Sequence, residues 1–243
     1  MKLQKLYSPV RRAIDDYEMI EDGDRIAVGI SGGKDSLTLL YALAGLRRFY
    51  PKQFELIAIT VDLGYPAFDL KPVEKLCEDL QVEYHIVKTE IKDILEKSIS
   101  DGSPCSLCAK LRKGALNNVI LSYNCNKVAY AHHMDDIIET MFLSLIYEGR
   151  FYSFSPVTHL DRTNLTVIRP LMYVSEADVI GFKNKYKLPI VTNPCPFDGH
   201  TRREYAKQLI RQIHLDNPRA KDRMFHAILN GHIAGWPDTK KGE

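Results

Sequence analysis

Between Arg25 and Tyr147, short apolar runs and stretches of helical periodicity alternate four times, and few folds accept that order. The apolar runs are Arg25–Ile30 (RIAVGI), Phe54–Val61 (FELIAITV), Glu83–Val87 and Lys127–Ala131 (KVAYA). Rich in β-branched residues and short, they read as buried strands. The stretches between and after them, Leu37–Phe49, Leu70–Gln81, Cys108–Tyr123 and Met134–Tyr147, read as helices. The alternation predicts an α/β fold, a parallel sheet with helices on both faces. An amphipathic helix over 3–20 precedes the sheet. Residues 89–104 read as irregular, 151–170 as strand and turn, Glu176–Tyr186 as a helix and 192–199 (TNPCPFDG) as a Pro-rich loop. Two basic helices, near 202–214 and 218–230, form a helical C-terminal extension. The expected organisation is an N-terminal helix (1–24), a sheet domain (25–190) and a C-terminal region carrying Cys195 (191–243).

Ligands of such sheets bind at the carboxyl ends of the strands. Three polar segments fall there: Ser31–Ser36 (SGGKDS), Asp62, and His132–Asp136. In the first, Gly32 and Gly33 let the backbone approach an anion, and the following helix start offers unpaired N–H groups and a positive dipole end. Ser31 and Ser36 add hydroxyls and Lys34 a mobile charge. Asp35 does not belong in a plain anion hole and is best explained by Mg²⁺ beside phosphates. The bland reading is a tight turn whose Asp caps a helix. A Walker A loop is excluded, because Val28 stands where its first glycine belongs and Asp35 where its Ser or Thr belongs; G-x-G-x-x-G is absent here as well.

Composition enters through the cysteines. There are five, an odd number in a chain whose start lacks the apolar segment of a secretory signal, so a disulfide scaffold is not expected and a cytoplasmic setting is. Cys105 and Cys108 form a C-x₂-C at a helix start, where the dipole favours thiolates. Cys195, between two prolines, is the natural third partner. Cys77 and Cys125 lie in apolar context and read as ordinary buried cysteines. Three thiolates suit a metal centre with an open position; a Cys₃His zinc site using His132, His133 or His200 and a redox dithiol are the alternatives. At 45% apolar and 26% charged residues the composition argues against a disordered chain, and no apolar run approaches the roughly 18 residues of a membrane-spanning helix. Net charge is only +2, but residues 202–223 carry seven basic and three acidic side chains, a stretch that suits RNA phosphates or a solvated face.

SGGKDS after an apolar strand resembles the PP-loop of the ATP pyrophosphatase superfamily. The order PP-loop, C-x₂-C followed by Arg112-Lys113, His132-His133-x-Asp135-Asp136, Arg169-Pro170-Leu171 and a Pro-flanked Cys195 resembles the tRNA 2-thiocytidine synthetases over nearly the whole chain. Pro196-Phe197-Asp198 follows Cys195 where these enzymes often have another cysteine. The resemblance implies a Rossmann-like PP-loop domain of the adenine nucleotide alpha hydrolase type. It implies ATP around Ser31–Ser36, with adenosine near Asp62 and His132 near the nucleotide. It implies a [4Fe–4S] cluster on Cys105, Cys108 and Cys195, Arg112 beside that cluster, and Asp135 as the acid, base or metal group at the reacting base.

The activity so implied is ATP-dependent tRNA thiolation: adenylation of a pyrimidine C2 oxygen, at cytidine 32 of tRNA, then replacement of that oxygen by sulfur. The catalytic set is Lys34, Asp35, Arg112 and Asp135. Partners are tRNA, through Arg202 and Arg203, and a sulfur donor, either a cysteine desulfurase or free sulfide; a homodimer stays open. The alternatives are another PP-loop tRNA ligase, with no use for three cysteines, and a zinc-stapled RNA-binding module.

Overall fold

The apolar run after the turn at Glu21 becomes β1 (Asp24–Gly29), the strand around which the sheet is built. On one side it pairs in parallel with β2 (Phe54–Asp62), and β2 with β3 (Glu83–Lys88). On the other side it pairs in parallel with β4 (Lys127–Ala129), which pairs with β6 (Leu165–Ile168). The edge strand β5 (Val157–Leu160) is antiparallel to β6 through the turn at 161–164, so the 151–170 segment is a hairpin. These relations come from a computed structural model that describes residues 3–66, 68–97, 104–191, 202–231, 233 and 235–237, with backbone alone at Pro104 and Cys105. Among the described residues the sheet has six strands in the order β3-β2-β1-β4-β6-β5.

The period-two alternation of the strands assigns their side chains to two layers. Ile26, Val28, Leu56 and Ala58 face one core, under α1 (Leu3–Asp16), α2 (Lys34–Leu46), α6 (Met134–Leu143) and α7 (Glu176–Tyr186). Ala27, Ile57, Ile59 and Val128 face the other, under Leu116 and Ile120 of α5 (Pro104–Ser122). Two buried faces explain why these strands read as continuous apolar runs. α3 (Lys71–Asp79) makes the crossover to β3. α1 crosses α2 at Gly45, where a Cβ would collide with the Tyr7 ring.

Three local expectations are corrected. Within 89–104 the structure has a helix, α4 (Ile91–Lys97), because Ile91 and Leu95, one turn apart, bury against Leu63. α5 begins at Pro104, four residues early, because a proline is well placed in a first helical turn; both Cys105 and Cys108 are therefore inside the helix. α6 stops at Leu143 and continues as a π-helical turn, Ser144–Glu148, closed by Gly149 at φ 64°. The basic helices form as α8 (Arg202–Asp216) and α9 (Ala220–Asn230), and both pack on α6. The 192–199 loop, Cys195, His200 and the tail from Asp238 lie outside the described residues.

The chain leaves β1 toward β2 on one side and reaches β4 on the other. The carboxyl ends of β1 and β4 therefore flank the crevice where open α/β sheets bind ligands.

Candidate active site

The Ser31–Ser36 loop lies in that crevice and is shaped by its own hydroxyls. Ser36 Oγ accepts from Ser31 N at 3.2 Å and donates to the Gly33 carbonyl at 3.1 Å, while Ser31 Oγ accepts from Gly33 N at 3.3 Å. Gly32 takes φ +80°, and its carbonyl accepts from Val191 N at 3.0 Å. Gly33 is the N-cap of α2, and no side chain caps that helix. The first-turn N–H groups and the positive end of the helix dipole are left for a ligand. Lys34 Nζ stands 3.0 Å from Asp35 Oδ2 and 3.3 Å from Glu176 Oε1. Burial opposes its charge, but the two carboxylates outweigh burial and hold its pKa above the ordinary lysine value. Asp35 Oδ1 is buried with no hydrogen-bond partner; His133 Nε2 is 3.6 Å away. An orphaned carboxylate oxygen at a phosphate loop fits a Mg²⁺ ion, which takes one or two protein oxygens and completes its shell with phosphate and water.

A cavity of about 550 Å³ opens beside the loop, large enough for a nucleotide. Ser31, Asp35 and Ser36 form its floor, and Asp62 and Leu63, after β2, one wall. The opposite wall is Tyr130, Ala131, His132 and Asp136 from the end of β4 and the start of α6. Ala109, Arg112 and Lys113 enter from α5, and Arg169 from the end of β6. The cavity thus joins the phosphate loop to the helix that starts with the cysteine pair. Cys108 packs beside the small apolar cluster of Leu63, Ile91 and Leu95. Cys108, one helical turn before the cavity-lining Arg112, is a soft donor of the kind that an iron–sulfur cluster needs.

His133 caps α6 reciprocally. Its Nδ1 accepts from Asp136 N at 3.3 Å, and Asp136 Oδ2 accepts from His133 N at 3.0 Å. His132 is half-buried in the cavity wall, its Nδ1 accepting from Arg169 Nε at 3.2 Å and its ring 4.4 Å from that of Phe154. Burial, reinforced by the Arg169 and Arg203 charges, pushes its pKa down to about 3, so the ring is neutral. Arg169 also donates to the Ser155 carbonyl and, at 3.2 Å, to Thr158 Oγ1. Burial pulls its pKa down to about 10, which leaves it charged.

The cavity brings together Ser31, Asp35, Ser36, Asp62, Arg112 and His132 of the expected residues; Gly32, Gly33 and Lys34 hold the adjoining loop. Asp135 is turned elsewhere. It is 4% exposed, accepts from Glu176 N at 2.7 Å and from Lys221 Nζ at 2.6 Å, and is absent from the cavity lining. The neighbouring Asp136 is the carboxylate that reaches the cavity. The i, i+4 face shared by Asp135 and Glu139 is the buried face of α6, which is why the expected catalytic acid lies inside. Arg202 and Arg203 also separate: Arg203 Nη1 lies 3.0 Å from Asp136 Oδ1, whereas Arg202 is exposed, its guanidinium 4.8 Å over the Tyr147 ring. Asp136, Lys113, Arg169 and Glu176 belong to the site with no individual role expected of them, although the first three stand in the motifs quoted above; for Glu176 the sequence carries no signal.

A PP-loop domain family matches residues 2–213. The chain is 42% identical over 230 residues to a tRNA-cytidine(32) 2-sulfurtransferase of Geotalea daltonii, covering 93% of this chain and 91% of the relative. It is 38% identical over 233 residues to the enzyme of the same name from Geobacter sulfurreducens, covering 95% and 91%. Among solved structures it resembles the U34-tRNA thiolase NcsA of Methanococcus maripaludis with its [4Fe–4S] cluster, at a TM-score of 0.77 and 25% identity, over 95% of this chain and 80% of that one.

Proposed function

The chain belongs to the PP-loop tRNA-cytidine 2-sulfurtransferase family, the tRNA-thiolating enzymes, and from that membership we propose that it adenylates the C2 oxygen of cytidine 32 with ATP and replaces that oxygen by sulfur. One observation carries the reading: a single cavity is lined both by the phosphate loop and by Arg112, one turn past Cys108. The two halves of a thiolation, activation and sulfur delivery, then meet at one base.

The chain's own groups divide the work. The uncapped start of α2, Ser31 and Ser36 take the phosphates, and Lys34 offsets the charge that builds on the leaving pyrophosphate. Asp35 Oδ1 would hold Mg²⁺, which supplies a further positive charge at the phosphate oxygens. The cytidine O2 attacks the α-phosphorus, the bond to the β-phosphate oxygen breaks, and pyrophosphate leaves. O2 now departs readily as AMP. A sulfide nucleophile forms the C2–S bond, the C2–O bond breaks, and the electron pair leaves with AMP, so no net oxidation or reduction occurs. Arg112 and Lys113 face the AMP phosphate as fixed cations; an arginine stays protonated and suits charge better than proton transfer. Asp136, held by Arg203 and the His133 N–H, brings a carboxylate to the cavity beside the nucleotide, and neutral His132, oriented by Arg169 and Phe154, lies against the nucleotide. A [4Fe–4S] cluster on Cys105, Cys108 and Cys195 would supply an iron without a protein ligand, able to hold sulfide as a Lewis acid.

The test is an anaerobic preparation assayed with tRNA, ATP and sulfide. A brown protein containing iron and labile sulfide, which releases pyrophosphate and forms 2-thiocytidine, is expected. Asp35→Ala and Lys34→Ala should abolish pyrophosphate release and keep the colour. A colourless protein with one zinc and no pyrophosphate release would replace this reading with the zinc-stapled RNA-binding module.

A further inference from the structure

Five of the twelve large apolar side chains exposed among the described residues fall between Leu145 and Tyr152. Scattered exposed apolar residues need no explanation, but a cluster does. Phe151 is 76% exposed, on a segment that is firmly anchored: buried Ser153 donates from Oγ to the Ile137 carbonyl at 3.0 Å, and Trp236 Nε1 donates to the Ser153 carbonyl at 3.1 Å. Two residues before this ring the chain turns at Gly149, after the π-helical turn. Such turns are rare and concentrate at functional positions.

The patch is also basic. The Arg202 guanidinium lies 4.8 Å over the Tyr147 ring and the Arg150 guanidinium 4.8 Å over the Tyr152 ring. Arg150 is partly offset by Glu148 at 2.7 Å; Arg202 pairs with no carboxylate among the described ion pairs. The same segment runs on behind the cavity wall: the Phe154 ring lies 4.4 Å from that of His132, and Tyr152 lies within electrostatic reach of Arg169, both of them cavity-lining residues. Aromatic faces interleaved with guanidinium planes are the surface on which unpaired bases stack, while the charges meet the flanking phosphates.

We propose that Tyr147, Phe151 and Tyr152, with Arg150 and Arg202, form a stacking platform for unpaired bases of the tRNA anticodon loop next to the target base. The proposal rests on the thiolation reading: position 32 belongs to that single-stranded loop, and a surface continuous with the cavity meets its neighbours. The platform holds the flanking bases while cytidine 32 enters the cavity.

The probe is an anticodon stem-loop RNA carrying 2-aminopurine beside cytidine 32, titrated into the anaerobic holoenzyme. Wild-type protein should quench the fluorophore on binding. Phe151→Ala should weaken RNA binding about tenfold and lose the quench, with the salt dependence of binding unchanged, because stacking releases no counterions. Phe151→Trp should restore both. Arg202→Ala should instead flatten the salt slope by about one. ATP affinity, read on the same preparations, should match wild type in Phe151→Ala and so report an intact fold. Wild-type quench and affinity in Phe151→Ala would overturn the platform and leave the thiolation reading standing. A wild-type dimer that Phe151→Ala dissociates in sedimentation would reassign the patch to a second copy. Failure of wild-type protein to bind the stem-loop or whole tRNA would overturn the platform together with the reading beneath it.

Discussion

Lys34 of the phosphate loop and Glu176 at the start of α7 form an ion pair of 3.3 Å, and Glu176 Oε1 is shared at 2.8 Å with Lys207 of α8. The Glu176 backbone N–H is in turn fixed by Asp135. Elements far apart in sequence therefore position the amine proposed to meet the phosphates. Glu176 also places a negative charge near the proposed triphosphate site, an effect opposite in sign to its positioning of Lys34.

Glu176→Gln separates the two effects. Removing the carboxylate leaves Lys34 and Lys207 less neutralised beside the loop, so ATP should bind about two- to fivefold more tightly. Lys34, no longer oriented, should stabilise the transition state less, and kcat should fall about tenfold. Single-turnover pyrophosphate release and equilibrium ATP binding give the two numbers. Weaker ATP binding in the variant would show that Glu176 is only part of the fold.

Asp135 and Lys221 join α6 to α9 at 2.6 Å, with Asp135 buried and Lys221 reaching solvent. The exposure difference makes the pair asymmetric. Lys221→Met strands a buried carboxylate and should lower stability by about 3 kcal/mol. Asp135→Asn keeps an acceptor for Glu176 N and leaves a lysine that can hydrate, so it should cost about 1 kcal/mol. Burial tends to raise the Asp135 pKa, but the Glu176 N–H and Lys221 outweigh it and hold it below the ordinary value of 3.8. The contribution of the pair is thus present above pH ~3.8 and lost as pH falls below it. Denaturant melts of both variants at pH 7 and pH 3 measure the order and the pH dependence; equal losses would remove the asymmetry argument.

The sheet was legible because strands buried on both faces leave a plain apolar signature, and three ligand segments at strand ends pointed to one crevice. Local turn chemistry also gave the phosphate loop its correct place. What escaped depends on rotation and on distant contacts. Asp135 and Asp136 are adjacent in sequence, and only the packing of α6 under α8 and α9 decides which carboxylate faces the cavity. Arg202 and Arg203 were equivalent as sequence, but Asp136 captures the second alone. In sequence Glu176 is only the first residue of an expected helix, since nothing local reveals a lysine 142 positions earlier. α4 was missed because Ile91, Ile94 and Leu95 give only one helical repeat within seven positions, too short a period to stand out.

Glu139, on the buried face of α6, gives a stability signal of opposite sign to Asp135. Burial, then the Asp136 charge, pushes its carboxyl pKa up from 4.5 to about 7. The native state binds the extra proton between those values, so stability should fall as pH rises from 4.5 to 7 and level off above. Glu139→Gln keeps the shape, removes this slope and should stabilise the protein above pH 7 by up to about 3 kcal/mol. Thermal melts across pH 4.5–8 decide the matter, and a variant whose slope equals that of wild type would mean that Glu139 ionises normally.

The cysteines give the last prediction, because the fold sorts the ones it describes. Cys77 is buried on the core-facing side of α3, and burial pushes its thiol up to about 12. Cys125 is buried beside β4, and burial raises its thiol as well. Both stay protonated near neutral pH and are poor metal ligands. Cys108, by contrast, lies in the first turns of α5, where the dipole favours the thiolate, one turn before Arg112. Cys105→Ser, Cys108→Ser and Cys195→Ser should each lose most of the cluster absorbance and all thiolation, because a hydroxyl is a hard, poor iron ligand. Cys77→Ser and Cys125→Ser should keep both and cost about 1–3 kcal/mol for a buried hydroxyl. Stripping iron from wild-type protein with an oxidant and chelator should abolish thiolation while ATP still binds, since the phosphate loop is formed by hydrogen bonds of its own. If Cys77 or Cys125 proves necessary for the colour, the cluster has a fourth protein ligand. No iron is then open to sulfide, and delivery of sulfur from the cluster is wrong even with the ATP site intact.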